Sequence, residues 1–325
     1  MYIGLDIGGT NIKGVLTNRS GNILKFRKIP TKKKSDEIIN SIIELIENLA
    51  ISHSTSISNI KAIGIGSAGS IDKKSGIVII SPNIPAWRGY PLTAVIEKRT
   101  GIKVYLENDA TAATVGEWWK GNGNKFRNWI MLTLGTGIGG GIVINNELYT
   151  GRSGNAMELC HTTINYKGPK CSCGNRGCLE MYASASAVVR FTKIELRKDK
   201  HISSSIHYRI NKEKLSSKLV YEEAIKGDLL AQRVFHQVST FLGIGIANIV
   251  NIFNPEAVIL GGGLSRAHKL ILPVVKDVVN DRALPGLKEN IKYTISKNGY
   301  RLPALGAAKI AIDNLENRSI SNRFS

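Results

Sequence analysis

Apolar and polar positions alternate along this chain in two rounds of similar order. Tyr2 to Asp6 and Lys13 to Leu16 are apolar, β-rich runs on either side of a Gly-Gly-Thr turn. Asn22 to Ile29 supplies a third strand after the polar Asn18-Arg19-Ser20-Gly21, so the start reads as an antiparallel meander. Ser35 to Leu49 then carries Ile38, Ile39, Ile42, Ile43, Leu45, Ile46 and Leu49 at helical spacing, with Ser35 as its expected N-cap. Ala62 to Gly66 is a further buried strand and Lys103 to Leu106 another. Hairpin strands, helix and strand in this order predict an α/β layer.

The pattern then returns. Trp129 to Leu134, a glycine-rich turn and Gly141 to Ile144 repeat the strand, turn and strand of the start. Ala231 to Phe253 reads as a long apolar helix ended by Asn254-Pro255, and Ala257 to Leu260 as a buried strand entering Gly261-Gly262-Gly263. Leu305 to Leu315, after Pro303, predicts a closing helix that packs back on the first lobe. The expected division is residues 1–115 with 304–325 as an N-terminal α/β lobe, and 116–303 as a C-terminal α/β lobe.

Length agrees with that plan, since 325 residues exceed one ordinary core. A hydrophobic share of 42% places the chain among globular proteins. Apolar runs such as Ile244 to Val250 fall well short of the roughly 18 residues that cross a bilayer, so no membrane span is expected. The first residues begin a strand at once and lack the basic and apolar regions of a signal peptide, which points to the cytoplasm. The formal net charge of +19 raises nucleic-acid binding, but the basic residues are spread along the chain and even the densest stretch, Arg190 to Lys218, forms no recognisable nucleic-acid module. No specific nucleic-acid partner is expected.

Chemistry enters at the glycines. Asp6-Ile7-Gly8-Gly9-Thr10 lies between two predicted strands, where glycines let backbone N–H groups approach a phosphate and the Thr10 hydroxyl can donate to it. Asp6, an acid in an apolar strand, suits Mg²⁺ or its waters, and Lys13 stands just beyond the turn. Leu134 to Gly141 is a second copy, with Gly135, Thr136 and Gly137 at its tip. Two such hairpins in separate lobes can clamp a polyphosphate from both sides. Neither is a P-loop, because neither carries Gly-Lys-Ser/Thr opening a helix. Gly261, Gly262 and Gly263 form a third cluster, after a strand, where an adenosine can lie.

All four cysteines fall between residues 160 and 178. His161, Cys171, Cys173 and Cys178 have the spacing H-x9-C-x-C-x4-C, a donor set suited to a closed, structural zinc, with Cys160 left over. Glu107-Asn108-Asp109 follows an apolar strand, so Asp109 emerges at a strand end, where ligands of α/β sheets bind. A carboxylate there can take a proton from a hydroxyl attacking a Mg²⁺-bound triphosphate; it also suits the N-cap of a helix from Ala110 to Trp119. Glu158 and Glu180 flank the cysteine loop, and a carboxylate accepts paired sugar hydroxyls well.

These pieces together resemble the ROK family of bacterial sugar kinases and sugar-responsive repressors over nearly the whole chain. The matching segments are Asp6 to Thr10, Glu107-Asn108-Asp109, Leu134 to Gly141, Glu158 to His161 and Cys171-Ser172-Cys173-Gly174-Asn175-Arg176-Gly177-Cys178-Leu179-Glu180. The resemblance implies a two-lobed, actin-like ATPase (ribonuclease H-like) fold with nucleotide and sugar in the interlobe cleft. It implies ATP with Mg²⁺, a structural Zn²⁺, Asp109 as catalytic base, sugar contacts from Asn83, Asn108, Asp109, Glu158, His161 and Glu180, and a homodimer. His161 would place one ring nitrogen on zinc and the other on a sugar hydroxyl. One departure is evident: the family box Glu-x-Gly-His is here Glu158-Leu159-Cys160-His161, so a side chain stands where the backbone could need φ > 0. The retained Glu158 resembles glucokinase-like members, with kinases of N-acetylmannosamine, N-acetylglucosamine, fructose or allose as alternatives. The repressors carry a helix-turn-helix ahead of the first phosphate loop, and with Asp6 five residues from Met1 none is expected here. A sugar-binding protein without activity is expected to lose Asp109 or the loop glycines, and all are present.

Overall fold

A computed structural model of the chain describes residues 1–81, 84–152, 154–198, 203–297 and 299–317. In chain order the elements are β1 (Tyr2–Ile7), β2 (Asn11–Thr17), β3 (Ile23–Pro30), α1 (Ser35–Ile51), β4 (Ala62–Ser67), β5 (Ser70–Asp72), β6 (Ile77–Ile80), β7 (Arg88–Tyr90), α2 (Leu92–Thr100), β8 (Val104–Asn108) and α3 (Asp109–Lys120). They continue as β9 (Trp129–Leu134), β10 (Ile138–Ile144), β11 (Glu147–Leu148), α4 (Glu180–Ala183), α5 (Ala185–Lys198), α6 (Ser205–Ile210), α7 (Ser217–Ile225), α8 (Leu229–Phe253), β12 (Ala257–Gly261), α9 (His268–Arg282), β13 (Lys292–Ile295) and α10 (Leu302–Leu315). Two compact units result: residues 1–127, 141–157 and 296–325 make the first, and 128–140 and 158–295 the second. The helix spanning residue 115, α3, lies wholly in the first.

The first unit is built on a sheet of order β3-β2-β1-β4-β8, in which β1 runs antiparallel to β2 and parallel to β4, and β4 runs parallel to β8. Every residue of β1 and β4 is buried. Both faces are covered, which is why these strands read as continuous apolar runs. Ile3, Leu5 and Ile7 share one core with Ile38, Ile42 and Ile46 of α1. On the opposite face the closing helix α10 comes close enough to require glycine: a Cβ on Gly4 would lie 1.8 Å from the Ala304 carbonyl oxygen, and one on Gly64 1.8 Å from that of Ala307. A small antiparallel sheet, β5-β6-β7, sits between β4 and α2 in the chain.

Local details differ from expectation for physical reasons. Lys34, not Ser35, occupies the cap position of α1, and the Ser35 hydroxyl accepts instead from Nε1 of the buried Trp87 at 3.1 Å. A buried indole N–H needs such a partner. The closing helix begins at Leu302, taking Pro303 into its first turn, where a missing N–H costs nothing.

In the second unit β9, β12 and β13 run parallel. The long helix α8 buries Leu230, Val234, Val238, Leu242, Ile246 and Val250 along one stripe and packs against α9. The Asp228 side chain caps α8 by accepting from the Ala231 N–H at 2.9 Å, and Asn254, in the left-handed region at φ 43°, ends it before Pro255. By length and composition α8 alone among the described residues could cross a membrane; its buried stripe makes it the core helix of this unit.

The close approach of α10 sets an expected outcome. Gly64→Ala should lower unfolding stability by about 3 kcal/mol, the upper end for overpacking, because the obstructing atom is backbone. Urea denaturation checks this, and parental stability would contradict the packing.

Candidate active site

Strand register gathers the first unit's candidate residues. Asp6, Gly66 and Glu107 stand side by side across β1, β4 and β8, as do Ile7, Ser67 and Asn108. The first glycine loop and Asp109 therefore leave the same edge of the sheet, at the carboxyl ends of parallel strands two spacings, or about 10 Å, apart.

The loop itself is a tight hairpin turn. The Gly8 N–H donates to the Asn11 carbonyl at 3.1 Å, while the Thr31 hydroxyl donates to the Gly8 carbonyl at 2.6 Å and the Thr31 N–H to that of Thr10 at 3.0 Å. Gly9 and Thr10 remain exposed at the tip. Lys13 faces Asp6 in the hairpin register, with Nζ 2.6 Å from Asp6 Oδ2. Burial pushes the Asp6 carboxyl above its ordinary range, and the Lys13 ammonium works against that shift. The pair sets an ammonium and a buried carboxylate side by side next to the turn.

At the end of β8, Asn108 keeps extended dihedrals and is the N-cap of α3: its Oδ1 accepts from the N–H groups of Ala110 at 2.9 Å and Thr111 at 3.2 Å. Asp109 is thus the first helical residue and not the cap, because a cap residue retains strand-like backbone and Asn108 is the last to do so. Nδ2 of Asn108 donates to the Gly69 carbonyl at 3.2 Å. The half-buried Asp109 carboxylate accepts from the Ala110 N–H at 2.9 Å. Beneath it Glu107 is buried, its Oε1 accepting from the Asn108 N–H at 3.0 Å and its Oε2 3.5 Å from Lys73 Nζ. Burial raises the Glu107 carboxyl, opposed by Lys73. Sequence reasoning missed Lys73, which sits in a polar turn with nothing to connect it to residue 107. Asn83 lies outside the described residues.

The second unit gathers its own set. Register pairs Gly261 with Thr133, so Gly262 and Gly263 leave the sheet beside the second glycine loop. The loop is closed by the Gly135 N–H on the Gly137 carbonyl at 2.9 Å. Segment 184–186 holds it, through the Ala185 N–H on the Gly135 carbonyl at 2.9 Å and the Ser186 hydroxyl on the Thr136 carbonyl at 2.8 Å. Glu180 also reaches this loop: its Oε2 accepts the Ile138 N–H at 3.0 Å.

The cysteine loop brings His161, Cys171, Cys173 and Cys178 together, with their donor atoms all within 4.8 Å of one another. His161 Nδ1 lies 3.6 Å from Cys171 Sγ, and Cys173 Sγ lies 3.7 Å from Cys178 Sγ. Ligands on a tetrahedral zinc, with Zn–S about 2.3 Å and Zn–N about 2.0 Å, stand roughly 3.5–3.8 Å apart. The donor set fits the ion. The other ring nitrogen, Nε2, faces Glu158 Oε2 at 3.8 Å. Cys160, buried, places Sγ 3.7 Å from the same oxygen. Burial and the carboxylates of Glu158 and Glu180 push the Cys160 thiol up, so it stays a neutral group beside them. Its backbone belongs to the short helical turn Leu159–His161 and has no positive φ, so the turn accepts a side chain at the position where the resemblance implies glycine.

Residues 2–314 match the model of the ROK family. The chain belongs to the ROK family. Among its curated relatives is a glucokinase of Thermotoga maritima, 39% identical over 312 residues covering 95% of this chain and 96% of that one. A xylose repressor of Caldicellulosiruptor bescii is 33% identical, over 96% of this chain and 78% of that protein. A solved ROK glucokinase of Streptomyces griseus, in complex with glucose and AMPPNP, superposes with a TM-score of 0.85 at 33% identity, covering 95% of this chain and 98% of that one. This ROK chain spans nearly the full length of these glucokinases and about four fifths of the repressor.

Elemental analysis after gel filtration should find about one zinc per chain in the parent and in Cys160→Ser. Cys173→Ser should lose the metal and melt lower, since a structural ion carries folding free energy. A metal-free parent of undiminished stability would contradict the donor geometry.

Proposed function

We propose that this chain is an ATP-dependent hexose kinase that phosphorylates glucose to glucose 6-phosphate. The observation that carries the reading is the register of β1, β4 and β8, which sets a glycine turn and a strand-end carboxylate on one sheet edge. Asp109 takes the proton of the attacking hydroxyl, Asp6 holds Mg²⁺ or its waters, and the loops around Gly8 and Gly135 bind the phosphates. Asn83, Asn108, Glu158, His161 and Glu180 hold the sugar, and Gly261 to Gly263 lie against the adenosine. Zn²⁺ on His161, Cys171, Cys173 and Cys178 is structural, because four protein ligands leave no open position for chemistry. Similarity to glucokinases of Thermotoga maritima and Streptomyces griseus supports glucose as the acceptor.

A second reading, a sugar-responsive DNA-binding regulator, is favoured by the 33% identity to a xylose repressor. The kinase reading expects DNA binding that is weak, indifferent to sequence and largely abolished between about 50 and 200 mM salt, as counterion release requires. A tight, sequence-selective complex at physiological salt would establish the regulator instead.

The kinase is checked by ADP release with ATP, Mg²⁺ and a panel of hexoses and N-acetylhexosamines, with glucose expected to give the highest kcat/KM. Asp109→Asn should lower kcat by at least roughly 10²-fold with sugar affinity kept within about tenfold. Near-normal turnover would remove Asp109 from the mechanism, and a higher kcat/KM for an N-acetylated sugar would overturn the acceptor.

A further inference from the structure

We infer that Glu180 is a positioning residue for the second glycine loop, fastening it to the cysteine loop and thereby setting nucleotide affinity; this rests on the reading of Gly135 to Gly137 as a phosphate loop. Glu180 opens α4 immediately after Cys178 and Leu179. Leu179 is fully buried and its side chain lies against α8 at Gly245, so the backbone leading into Glu180 is fixed by the core helix. From there the carboxylate faces two ways. Oε1 stands 4.0 Å from Cys171 Sγ, on the side of the cysteine cluster. Oε2 accepts the N–H of Ile138, where the glycine loop becomes β10.

The fit is tight. A Cβ built on Gly137 would lie 2.1 Å from Glu180 Oε2, so the glycine at the tip is the residue that admits the carboxylate. The loop carbonyls of Gly135 and Thr136 are held at the same time by Ala185 and Ser186, just beyond α4. Residues 180–186 therefore strap the loop from both its carbonyl and its N–H side. Backbone N–H groups bind a phosphate more tightly when their directions are preset, because ordering them on binding subtracts from affinity. Loss of the strap loosens the nucleotide side, whatever Glu180 also does for the sugar.

Two substitutions separate the roles. Glu180→Gln keeps a carbonyl oxygen for the Ile138 N–H and removes the charge, whereas Glu180→Ala removes both. The measurement is calorimetric Kd for AMPPNP with Mg²⁺ in the absence of sugar, with zinc content and melting temperature recorded for each variant. Glu180→Ala should weaken AMPPNP roughly tenfold, the upper scale of an ordinary lost hydrogen bond, and Glu180→Gln should stay within about twofold of the parent. Glucose affinity should fall in both. Glu180→Asp, one methylene short of the loop, carries the same expectation as Glu180→Ala where the alanine variant loses its metal or fails to fold. Unchanged AMPPNP affinity in Glu180→Ala or Glu180→Asp overturns the strap, and so does equal loss in Glu180→Ala and Glu180→Gln, since the charge would then be what matters. A parent that binds glucose but no AMPPNP removes the phosphate-loop reading and the strap with it.

Discussion

The contact on which the first unit depends is the approach of α10 to β1 and β4 through Gly4 and Gly64. Helix backbone lies almost on strand backbone there, which no side chain larger than hydrogen permits. With α1 on the other face, the two central strands lose all exposure and all freedom to shift along one another. Register between them is fixed by that burial. Because the first glycine loop leaves β1 and Asp109 follows β8 through the same register, the chemistry inherits its geometry from a packing constraint at the opposite end of the sequence.

Two buried acids at that sheet edge are handled in the same way. Asp6 and Glu107 both lie in strands with almost no exposure, burial raises both carboxyls, and each has one lysine, Lys13 or Lys73, working against the shift. An ionised carboxylate in such a place needs a partner or a metal. In Glu107 the remaining oxygen accepts the Asn108 N–H, which ties the acid to the backbone that presents Asp109. Lys73 comes from the turn between β5 and β6, so the small sheet is anchored to the same strand end.

In the second unit the corresponding constraint is the core helix α8. Leu179 docks on it, and the cysteine loop and Glu180 follow from that anchor. The short separations among His161, Cys171, Cys173 and Cys178 are set within that single loop, which a bound ion would close further. Glu158 shares one oxygen between His161 Nε2 and Cys160 Sγ. The Cys160 side chain is accommodated because this turn is helical and not left-handed.

Much of this was legible in the sequence, because it depends on local order. Buried central strands betray themselves as uninterrupted apolar runs, α1 and α8 by their spacing, and the Asn254-Pro255 stop by chain geometry that needs no partner. The two glycine turns, the strand-end Asp109 and the cysteine spacing are likewise local, as is the resemblance they carry. What the tertiary structure decided are pairings between segments far apart in sequence: Glu107 with Lys73, Glu180 with the Ile138 N–H, Trp87 with Ser35, and Gly4 and Gly64 with α10. The Trp87 contact displaced an expected helix cap, and the extended dihedrals of Asn108 moved the other from Asp109. No periodicity encodes such contacts, since each depends on where two backbones come to rest, and a side chain's partner is chosen only after the packing has brought it within reach.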